Sequence, residues 1–507
     1  MENIILDSSN LIKECFLHKY FTEEMPPSFS SEDFVEKIDK ILSKILTSSN
    51  NYPTTYCTNL SIYKSEYTRR TVSLPNPYSY LQLLKFLSSN WKTILKLSKS
   101  SNSTSPIFSI GDLSSYTFDE SRKIRCKCFF GYKYRLKIDL SNFYNSIYTH
   151  SLTWALVGKE ESKKYIDTKN KKISNKTYIF ADQYDKLMRK CKGLETNGII
   201  IGPFASRIFS ELLLSGIDKI LRQQYQFVRF VDDYNFYFRT KQDAENSLSD
   251  LYQIFNEYNL TLNKEKISID LFPFENYYDF NSQFNSMIKK DGAESLLRYA
   301  LSLFEKGQKG ALKYALKVIK SEHINQKNAV EIASYLINIM MVKPDLSSLC
   351  LKILKNKIIK LNIIKKVINE EIPECIKAKK QQELLWFLYS IITLQINIDV
   401  KNITMILESG DDFSRILSLD IIKNHKTLIY GANIDYCINE ALRTLSNQFL
   451  KYDFYGEHWL LLYENYINKY ISSSILDYNK VYNKRDELSK FFQFLKKENI
   501  EFYKTNK

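Results

Sequence analysis

The stretch from residue 227 to residue 238, FVRFVDDYNFYF, constrains the fold more than any other part of the chain. Aromatic and β-branched residues fill two arms, and Asp-Asp-Tyr-Asn supplies turn-forming residues between them, which predicts a β-hairpin. Its tip carries Asp232 and Asp233, whose like charges raise each other's pKa. A divalent cation such as Mg²⁺ relieves that repulsion, because hard oxygen ligands suit it. A solvated acidic turn is the alternative that the hairpin alone leaves open.

A strand and a glycine turn precede the hairpin in the sequence. Residues 134–140 alternate between apolar and polar side chains, which predicts a strand with Asp139 near its end. Residues 198–203 contain two glycines and a proline, so they predict a turn that includes Gly202 and leads into a long helix. A helix over residues 243–258 and a short strand follow the hairpin. This order predicts an α+β, palm-like core rather than a doubly wound parallel sheet.

The segments around this core have weaker patterns. Residues 1–29 show little periodicity and contain two successive prolines, so they predict a mobile arm before the first amphipathic helix. Residues 80–97 predict one helix, and residues 98–118 predict a loop rich in Ser and Thr. Residues 159–176 are dense in lysine, which is typical of a solvated surface loop.

Charge and cysteine usage limit the classes of partner and compartment. The formal net charge is +15, and residues 51–192 hold 25 Lys and Arg against 10 Asp and Glu. Such a local excess predicts nucleic acid or nucleotide phosphate as the partner of that segment. No apolar run reaches the ~18 residues of a membrane span, and the N-terminus lacks a basic signal-peptide start. These two observations predict a cytoplasmic protein with no membrane partner. The eight cysteines lack zinc-ligand spacing, so we expect reduced thiols.

Helical periodicity dominates the sequence after about residue 290. The pattern Leu-x-apolar-apolar-x-Ser/Asn recurs five times, beginning at Leu316, Leu351, Leu385, Leu419 and Leu460. The first four copies are 34 or 35 residues apart, the length of one helical hairpin in an α-solenoid. We therefore predict an α+β domain over 1–290 and an α-helical, HEAT-like repeat domain over 291–507. A helical bundle in which the pattern recurs by coincidence stays open.

The three aspartates suggest one chemistry. Phosphoryl transfer assisted by two metal ions needs carboxylates that converge from separate elements, and Asp139 precedes the Asp232-Asp233 hairpin on a predicted strand of its own. This order, with the glycine turn between the two, resembles motifs A, B and C of the reverse transcriptase palm, preceded by a fingers domain. The resemblance implies that the three aspartates are catalytic and bind Mg²⁺, with Mn²⁺ as the alternative. It also implies that Gly202 contacts substrate.

The same resemblance assigns substrate-binding roles to further residues. Lys266 lies in a segment similar to motif D, whose lysine sits near the nucleotide phosphates. Tyr144 matches the residue that excludes a ribose 2′-hydroxyl, with Phe143 as the alternative. Arg69 and Arg70 resemble basic residues of the fingers domain, and the choice of which one clamps the triphosphate stays open.

A closer resemblance is to the abortive-infection (Abi) reverse transcriptases of bacteria. Asp-Leu-Ser-Asn-Phe-Tyr at 139–144 with its extension to 154, Leu-Pro-Asn-Pro-Tyr-Ser-Tyr at 74–80 and Ser206-Arg207 carry it. The resemblance implies a phage-defence polymerase of the bacterial cytoplasm that makes single-stranded DNA from dNTPs without a template. It also implies priming by a tyrosine of the protein, DNA attached covalently to it, and a homo-oligomer, either a trimer or a hexamer.

Several alternatives stay open at the level of sequence. Tyr20, in the predicted arm, is the candidate primer, with an ordinary surface tyrosine as the competing interpretation. Ile201 and Phe230 stand where templated reverse transcriptases carry Gln and often Tyr, which favours untemplated synthesis. A retron-type templated polymerase is the first alternative, and an inactive polymerase fold used as a scaffold is the second. His150 is expected in a hydrogen-bonded structural role.

Overall fold

The computed structural model describes residues 4–45, 53–100, 102–105, 107, 109–110, 118–166, 174–274, 280–321, 328–355 and 361–505. The N-terminal region mixes helices and strands. In chain order these are β1 (Ile4–Ile5), α1 (Leu11–Lys19), α2 (Glu32–Glu36), α3 (Ile38–Ile45), β2 (Thr58–Ser65), β3 (Thr68–Leu74), α4 (Pro77–Ser89), α5 (Trp91–Leu97), β4 (Ser109–Ile110), α6 (Phe118–Phe129), β5 (Tyr134–Asp139), α7 (Phe143–Ser146), α8 (Ser151–Val157), α9 (Lys159–Ile166), α10 (Lys176–Lys190), α11 (Phe204–Leu221), β6 (Phe227–Phe230), β7 (Asp233–Phe238), α12 (Lys241–Glu257) and β8 (Ser268–Leu271).

Four strands form the central sheet in the order β6-β7-β5-β8, and each neighbouring pair is antiparallel. β6 and β7 are the arms of the predicted hairpin, and β5 is the predicted strand that ends at Asp139. Leu136 and Ile138 of β5 are buried in the main core, as their alternation with polar residues predicts. The helix predicted after the glycine turn is α11, and fifteen of its residues are buried. The palm-like α+β core is therefore confirmed.

Some local predictions around this core are wrong. The helix predicted over 80–97 is two helices, α4 and α5, which meet at Asn90. α6 was not predicted; it packs a small second core against the sheet through Phe129 and Tyr237. Residues 159–166 form α9 instead of a loop, and Lys-Glu pairs one turn apart stabilise it. The rest of that predicted loop lies partly outside the described residues.

The predicted mobile arm is also wrong. α1 is a nine-residue helix whose Phe16 is fully buried, and Tyr20 directly after it is only 1% exposed. The Tyr20 hydroxyl donates a hydrogen bond to the carbonyl oxygen of Pro75 at 2.6 Å, and burial raises its pKa well above the ordinary value. The arm was predicted from weak periodicity and two successive prolines, but the aromatic residues of this segment pack in the core. A hydroxyl in this position is not accessible as a primer.

The C-terminal region is almost entirely helical, as predicted. Its elements are α13 (Phe280–Glu305), α14 (Lys309–Lys320), α15 (Ala329–Val342), α16 (Ser347–Leu354), α17 (Leu361–Lys377), α18 (Gln381–Leu394), β9 (Ile398–Asp399), α19 (Val400–Ser409), α20 (Asp412–Asn424), β10 (Ile429–Tyr430), α21 (Ile434–Phe449), α22 (Trp459–Asn468), α23 (Tyr478–Tyr482) and α24 (Glu487–Lys497). The two short strands pair with each other in parallel.

Helices of the C-terminal region contact one another in two rows. α13, α15, α17, α19 and α21 make one row, and α14–α16 and α18–α20–α22 contact along the other. The five copies of the leucine pattern begin in the even-numbered helices, and the first leucine of every copy is buried. The pattern therefore marks the buried side of alternate helices. The HEAT-like class of these repeats stays a prediction.

The N-terminal and C-terminal regions share an interface. The side chain of Gln382 in α18 accepts a hydrogen bond from the backbone N–H of Tyr63 in β2 at 2.8 Å. The predicted boundary after residue 290 falls inside α13, two residues before its kink at Gly292, so the division at this point stays a prediction. Within the described ranges, no helix is both long and apolar enough to span a bilayer.

We expect Tyr20→Phe to lower the free energy of unfolding by about 0.5–1.5 kcal/mol, because the buried Pro75 carbonyl loses its donor. Urea unfolding followed by circular dichroism measures the change. Tyr436→Phe is the matched control, since Tyr436 is 69% exposed on α21, and we expect it to change stability by less than about 0.5 kcal/mol. Equal midpoints for the two variants would contradict the burial of Tyr20.

Candidate active site

Strand pairing brings the three predicted catalytic carboxylates to one end of the sheet. Asp139, the last residue of β5, lies directly opposite Asp233, the first residue of β7. Asp232 lies in the turn before Asp233. The turn itself is Val231-Asp232, one position earlier than Asp-Asp-Tyr-Asn suggested, and Val231 has the positive φ of 55° that a tight hairpin needs. The predicted convergence of Asp139, Asp232 and Asp233 is thus a consequence of register.

The segment after α12 supplies a cation to Asp139. Leu262 forms a bridge with Leu140, which continues the strand pairing past the end of β5. This places the Lys266 ammonium 2.9 Å from Oδ2 of Asp139, and Asn263 donates a hydrogen bond to the same oxygen at 3.2 Å. Lys266 therefore lies at the acids, as its motif suggested. Asn263 was missed, although it is part of the same short motif.

The three carboxyls titrate differently because their surroundings differ. Burial alone would raise the pKa of Asp139, but hydrogen bonds from Lys266, Asp233 and Asn263 outweigh it and lower that pKa below the ordinary value. Desolvation, the hydrogen bond with Asp139 and the charge of Asp232 raise the pKa of Asp233 to about 6. Desolvation and the charge of Asp139 raise the pKa of Asp232. Below about pH 6 Asp233 is therefore the carboxyl of this group that carries a proton.

The donor set fits a hard divalent cation in chemical type. Three carboxylates from two elements provide only oxygen ligands, which suit Mg²⁺ or Mn²⁺. In the described part of the chain, however, no three His, Cys, Asp or Glu side chains are already arranged as a metal centre. The Lys266 ammonium is paired with Asp139 here. Metal binding at Asp139 would require this ammonium to move, which it can do because its side chain is 57% exposed.

A buried ionic cluster supports the hairpin from behind. Arg229 of β6 is fully buried and donates hydrogen bonds to Glu211 (2.9 and 3.0 Å) and Asp218 (2.8 to 3.2 Å) of α11. It also donates to the carbonyl oxygen of Val231 in the turn at 3.0 Å. The cluster thus fixes the acidic turn to α11. Sequence reasoning missed it, although charged residues in so apolar a strand and helix were a usable signal.

A cavity of about 350 Å³ opens beside the glycine turn. Tyr144, Gly202, Arg70 and Arg207 are among the residues that line it. Gly202 has a φ of +118°, and a Cβ on it would lie 2.8 Å from Cγ1 of Val72 in β3, so only glycine fits between turn and strand. In the sequence Arg207 contributes only to the family resemblance. In the structure it lines the cavity and donates hydrogen bonds to the carbonyl oxygen of Ser105 and the carboxylate of Glu211.

The structure separates the two paired alternatives left open by the sequence. Arg69 pairs with both oxygens of Glu383 in α18 at 2.7 and 2.8 Å, so it is committed to the helical region and does not face the cavity. Arg70 points to the opposite face, because successive residues of a strand alternate in direction. It lies near Asp232, and its positive charge acts to lower the pKa of that carboxyl. Phe143 is 3% exposed and belongs to the core, whereas Tyr144 lines the cavity. Within each pair, Arg70 and Tyr144 are therefore the residues that line the cavity, and the substrate-binding roles of all four stay predictions. His150 hydrogen-bonds buried Asp185 at 2.7 Å, in line with a structural role.

An antiparallel sheet with acids at one end, a glycine-turn helix and a flanking hairpin defines the class of a nucleic-acid polymerase palm. In agreement, residues 87–296 match the family model described as "Reverse transcriptase (RNA-dependent DNA polymerase)". Residues 87–296 are thus similar to a reverse transcriptase domain, and this match supports an enzyme of the nucleotidyltransferase class. No curated protein sequence matches it.

Solved structures with similarity to the chain include telomerases of two Candida species. The C-terminally truncated apo telomerase of Candida tropicalis is 14% identical over 48% of this chain and 56% of its own, with a TM-score of 0.29. Telomerase of Candida albicans with a telomeric RNA fragment is 15% identical over 76% and 70%, with a TM-score of 0.29. The apo enzyme of Candida tropicalis is 13% identical over 86% and 75%, with a TM-score of 0.34. The chain spans 56% of the first of these.

We expect Mg²⁺ affinity to fall about tenfold for each pH unit below about 6, because the cation must then displace the Asp233 proton. The raised pKa means that this competing proton is bound below about pH 6 and absent above it. Isothermal titration with MgCl₂ between pH 5 and pH 7.5 measures the effect. Affinity that is constant over this range would contradict it.

We expect Arg229→Met to lower the free energy of unfolding by about 3–5 kcal/mol, since Glu211 and Asp218 stay buried without their shared cation. Thermal and urea unfolding measure the loss. Arg239→Met, at an exposed position just after β7, controls for the loss of one guanidinium. A loss below about 1 kcal/mol would show that the cluster does not hold the hairpin.

Proposed function

We propose that this protein is a phage-defence DNA polymerase of the abortive-infection type, which joins dNTPs into single-stranded DNA without copying a template. The observation that carries the proposal is the convergence of Asp139, Asp232 and Asp233. Beside them lies a cavity in which protein side chains pack against the glycine turn. The proposed site residues are the three aspartates as catalytic and metal-binding groups, with Tyr144, Gly202, Lys266 and Arg70 at the nucleotide.

The chemistry proposed is nucleotidyl transfer. A hydroxyl oxygen attacks the α-phosphorus of a dNTP, the bond from that phosphorus to the bridging oxygen breaks, pyrophosphate leaves, and the hydroxyl proton is lost. Mg²⁺, held by the three aspartates, would supply Lewis-acid activation of the attacking oxygen and charge stabilisation of pyrophosphate. The ammonium of Lys266 lies beside the acids, so it is placed to pair with phosphate once released from Asp139. Arg70 brings a second cation to the same side.

Untemplated synthesis is supported by the packing at the glycine turn. The Cβ position of Gly202 lies 2.8 Å from Val72 and 3.3 Å from the Thr22 methyl group. The backbone N–H of Ser73 also donates to the carbonyl oxygen of Ile201 at 2.8 Å, which ties β3 to the turn. Protein atoms therefore fill the space against this glycine, so a template base could not be placed there without moving them.

Priming by the protein needs an accessible tyrosine, and Tyr20 is not one. Tyr67, at the tip of the β2–β3 hairpin, is 88% exposed, and Tyr436 is 69% exposed. We propose these two as the residues to examine first by peptide mapping of any DNA-linked protein. The two rows of helices are consistent with a HEAT-like platform, which we propose as the surface for assembly of a homo-oligomer, a trimer or a hexamer.

A templated, RNA-directed polymerase of the retron type is the second candidate. The observation that favours it is the family match over residues 87–296, whose description names an RNA-dependent enzyme. The two functions differ in one requirement, because only the second needs an added template and primer. An inactive polymerase fold used as a scaffold is the third candidate. A loss of phage protection in a catalytic variant would argue against it.

We expect the purified chain to incorporate labelled dNTPs with Mg²⁺ alone, and Asp232→Asn to lower the rate at least about 1,000-fold, because it removes a ligand carboxylate. Asp250→Asn, on the exposed side of α12, is the charge-matched control and is expected to retain the rate. Gel analysis with and without added RNA and primer measures both. Strict dependence on an added template would overturn the untemplated function in favour of the second candidate.

A further inference from the structure

The N-terminal strap, residues 19–24, forms one wall of the cavity at the glycine turn. Its residues Phe21, Thr22 and Glu24 line the cavity across from Tyr144 and Arg207. The cavity volume of about 350 Å³ is at the lower end of the range for small-molecule sites. The strap is a contiguous stretch of six residues that begins at the last residue of α1 and ends shortly before the two prolines. None of the active-site motifs includes it.

The strap is held in place at both ends. The Tyr20 hydroxyl bonds to Pro75 at 2.6 Å, and its ring stacks on Tyr80 with centroids 5.6 Å apart. At the other end, Nε1 of Trp386 in α18 donates to the carbonyl oxygen of Glu24 at 2.8 Å. Val72 of the fingers hairpin (β2 and β3), which Arg69 links to the same helix, and Thr22 of the strap both lie against the Cβ position of Gly202. Anchors of this kind make the strap a preorganised wall.

Two acids of the strap differ in their pairing. The Glu23 carboxylate is 2.8 Å from the ammonium of Lys19 and is mostly exposed. The Glu24 carboxylate has no such cation in the described part of the chain, although Glu24 lines the cavity. A carboxylate accepts hydrogen bonds only, and it therefore suits a base that presents an amino group. Arg70 and Arg207 supply positive charge elsewhere on the wall, where phosphate would be favoured.

We infer that the strap acts as a protein substitute for the templating base, and that Glu24 selects incoming nucleotides by accepting a hydrogen bond from the exocyclic amino group of adenine or cytosine. At that position thymine and guanine carry a carbonyl oxygen, O4 or O6, which meets the carboxylate as a second acceptor, so dTTP and dGTP are disfavoured. This inference rests on the proposed untemplated polymerase function. It assigns to a segment outside the palm the choice of nucleotide at that same site.

The test uses the full chain with Mg²⁺, four dNTPs at equal concentration and no nucleic acid, followed by nucleoside analysis of the product. Wild type is expected to incorporate thymidine and deoxyguanosine about tenfold less than deoxyadenosine and deoxycytidine. Glu24→Gln is expected to raise the ratio of dTTP to dCTP use about tenfold, because an amide can donate to O4. Glu24→Asp keeps the carboxylate and should keep the bias. Glu305→Gln, exposed at the end of α13, controls for the loss of one charge.

The outcomes separate this inference from the function on which it rests. Equal use of the four dNTPs by wild type, or an unchanged ratio in an active Glu24→Gln variant, overturns the role of Glu24 while untemplated synthesis stands. Absence of product without a template overturns the function itself. Titration calorimetry of dTTP and dCTP with wild type and both Glu24 variants then decides the strap separately, because equal affinities for the two nucleotides would refute it. Circular dichroism confirms that each variant is folded.

Discussion

Electrostatic repulsion among three carboxyls is the constraint around which this structure is arranged. The pairing of β5 with β7 forces Asp139 against Asp233, and the turn adds Asp232. Lys266 offsets part of the charge in front of the acids, and burial together with the remaining repulsion raises the pKa of Asp233 to about 6. Behind the turn, Arg229 is buried between two further acids of α11 and holds the hairpin where the repulsion is greatest. Three carboxylates this close together suit a hard divalent cation, which would take the place of the Lys266 ammonium at Asp139.

The helical region contributes to the active site from a distance. α18 bonds to three parts of the N-terminal region: Arg69 of the fingers hairpin, the backbone of β2, and the strap through Trp386. These contacts keep the fingers hairpin and the strap against the glycine turn. The cavity wall thus depends on one of the C-terminal helices, α18.

Sequence reasoning was strongest where a residue type has few alternatives. Two adjacent acids in an aromatic hairpin, a strand ending in Asp139 and a glycine turn before a long helix were each predicted, and the convergence of the three aspartates followed from their order. It was weakest where side chains had to be assigned a direction. Arg69 and Arg70 are the same residue type at adjacent positions. Only the pleat of β3 directs the Arg69 side chain to Glu383 and the Arg70 side chain to the acids. Tyr20 looked like part of a free arm because an irregular sequence says nothing about what covers it.

The sequence by itself determined the class of chemistry, since aspartates at these spacings on strand and hairpin leave few uses other than binding a hard cation for phosphoryl transfer. It also determined the helical character of the second half through the period of its apolar residues. Only the tertiary structure decided which side chains surround the cavity at the glycine turn. Contacts such as Tyr20 with Pro75, Glu24 with Trp386 and Arg229 with Asp218 join segments whose mutual distance no local pattern encodes, because side-chain packing over the whole core sets them.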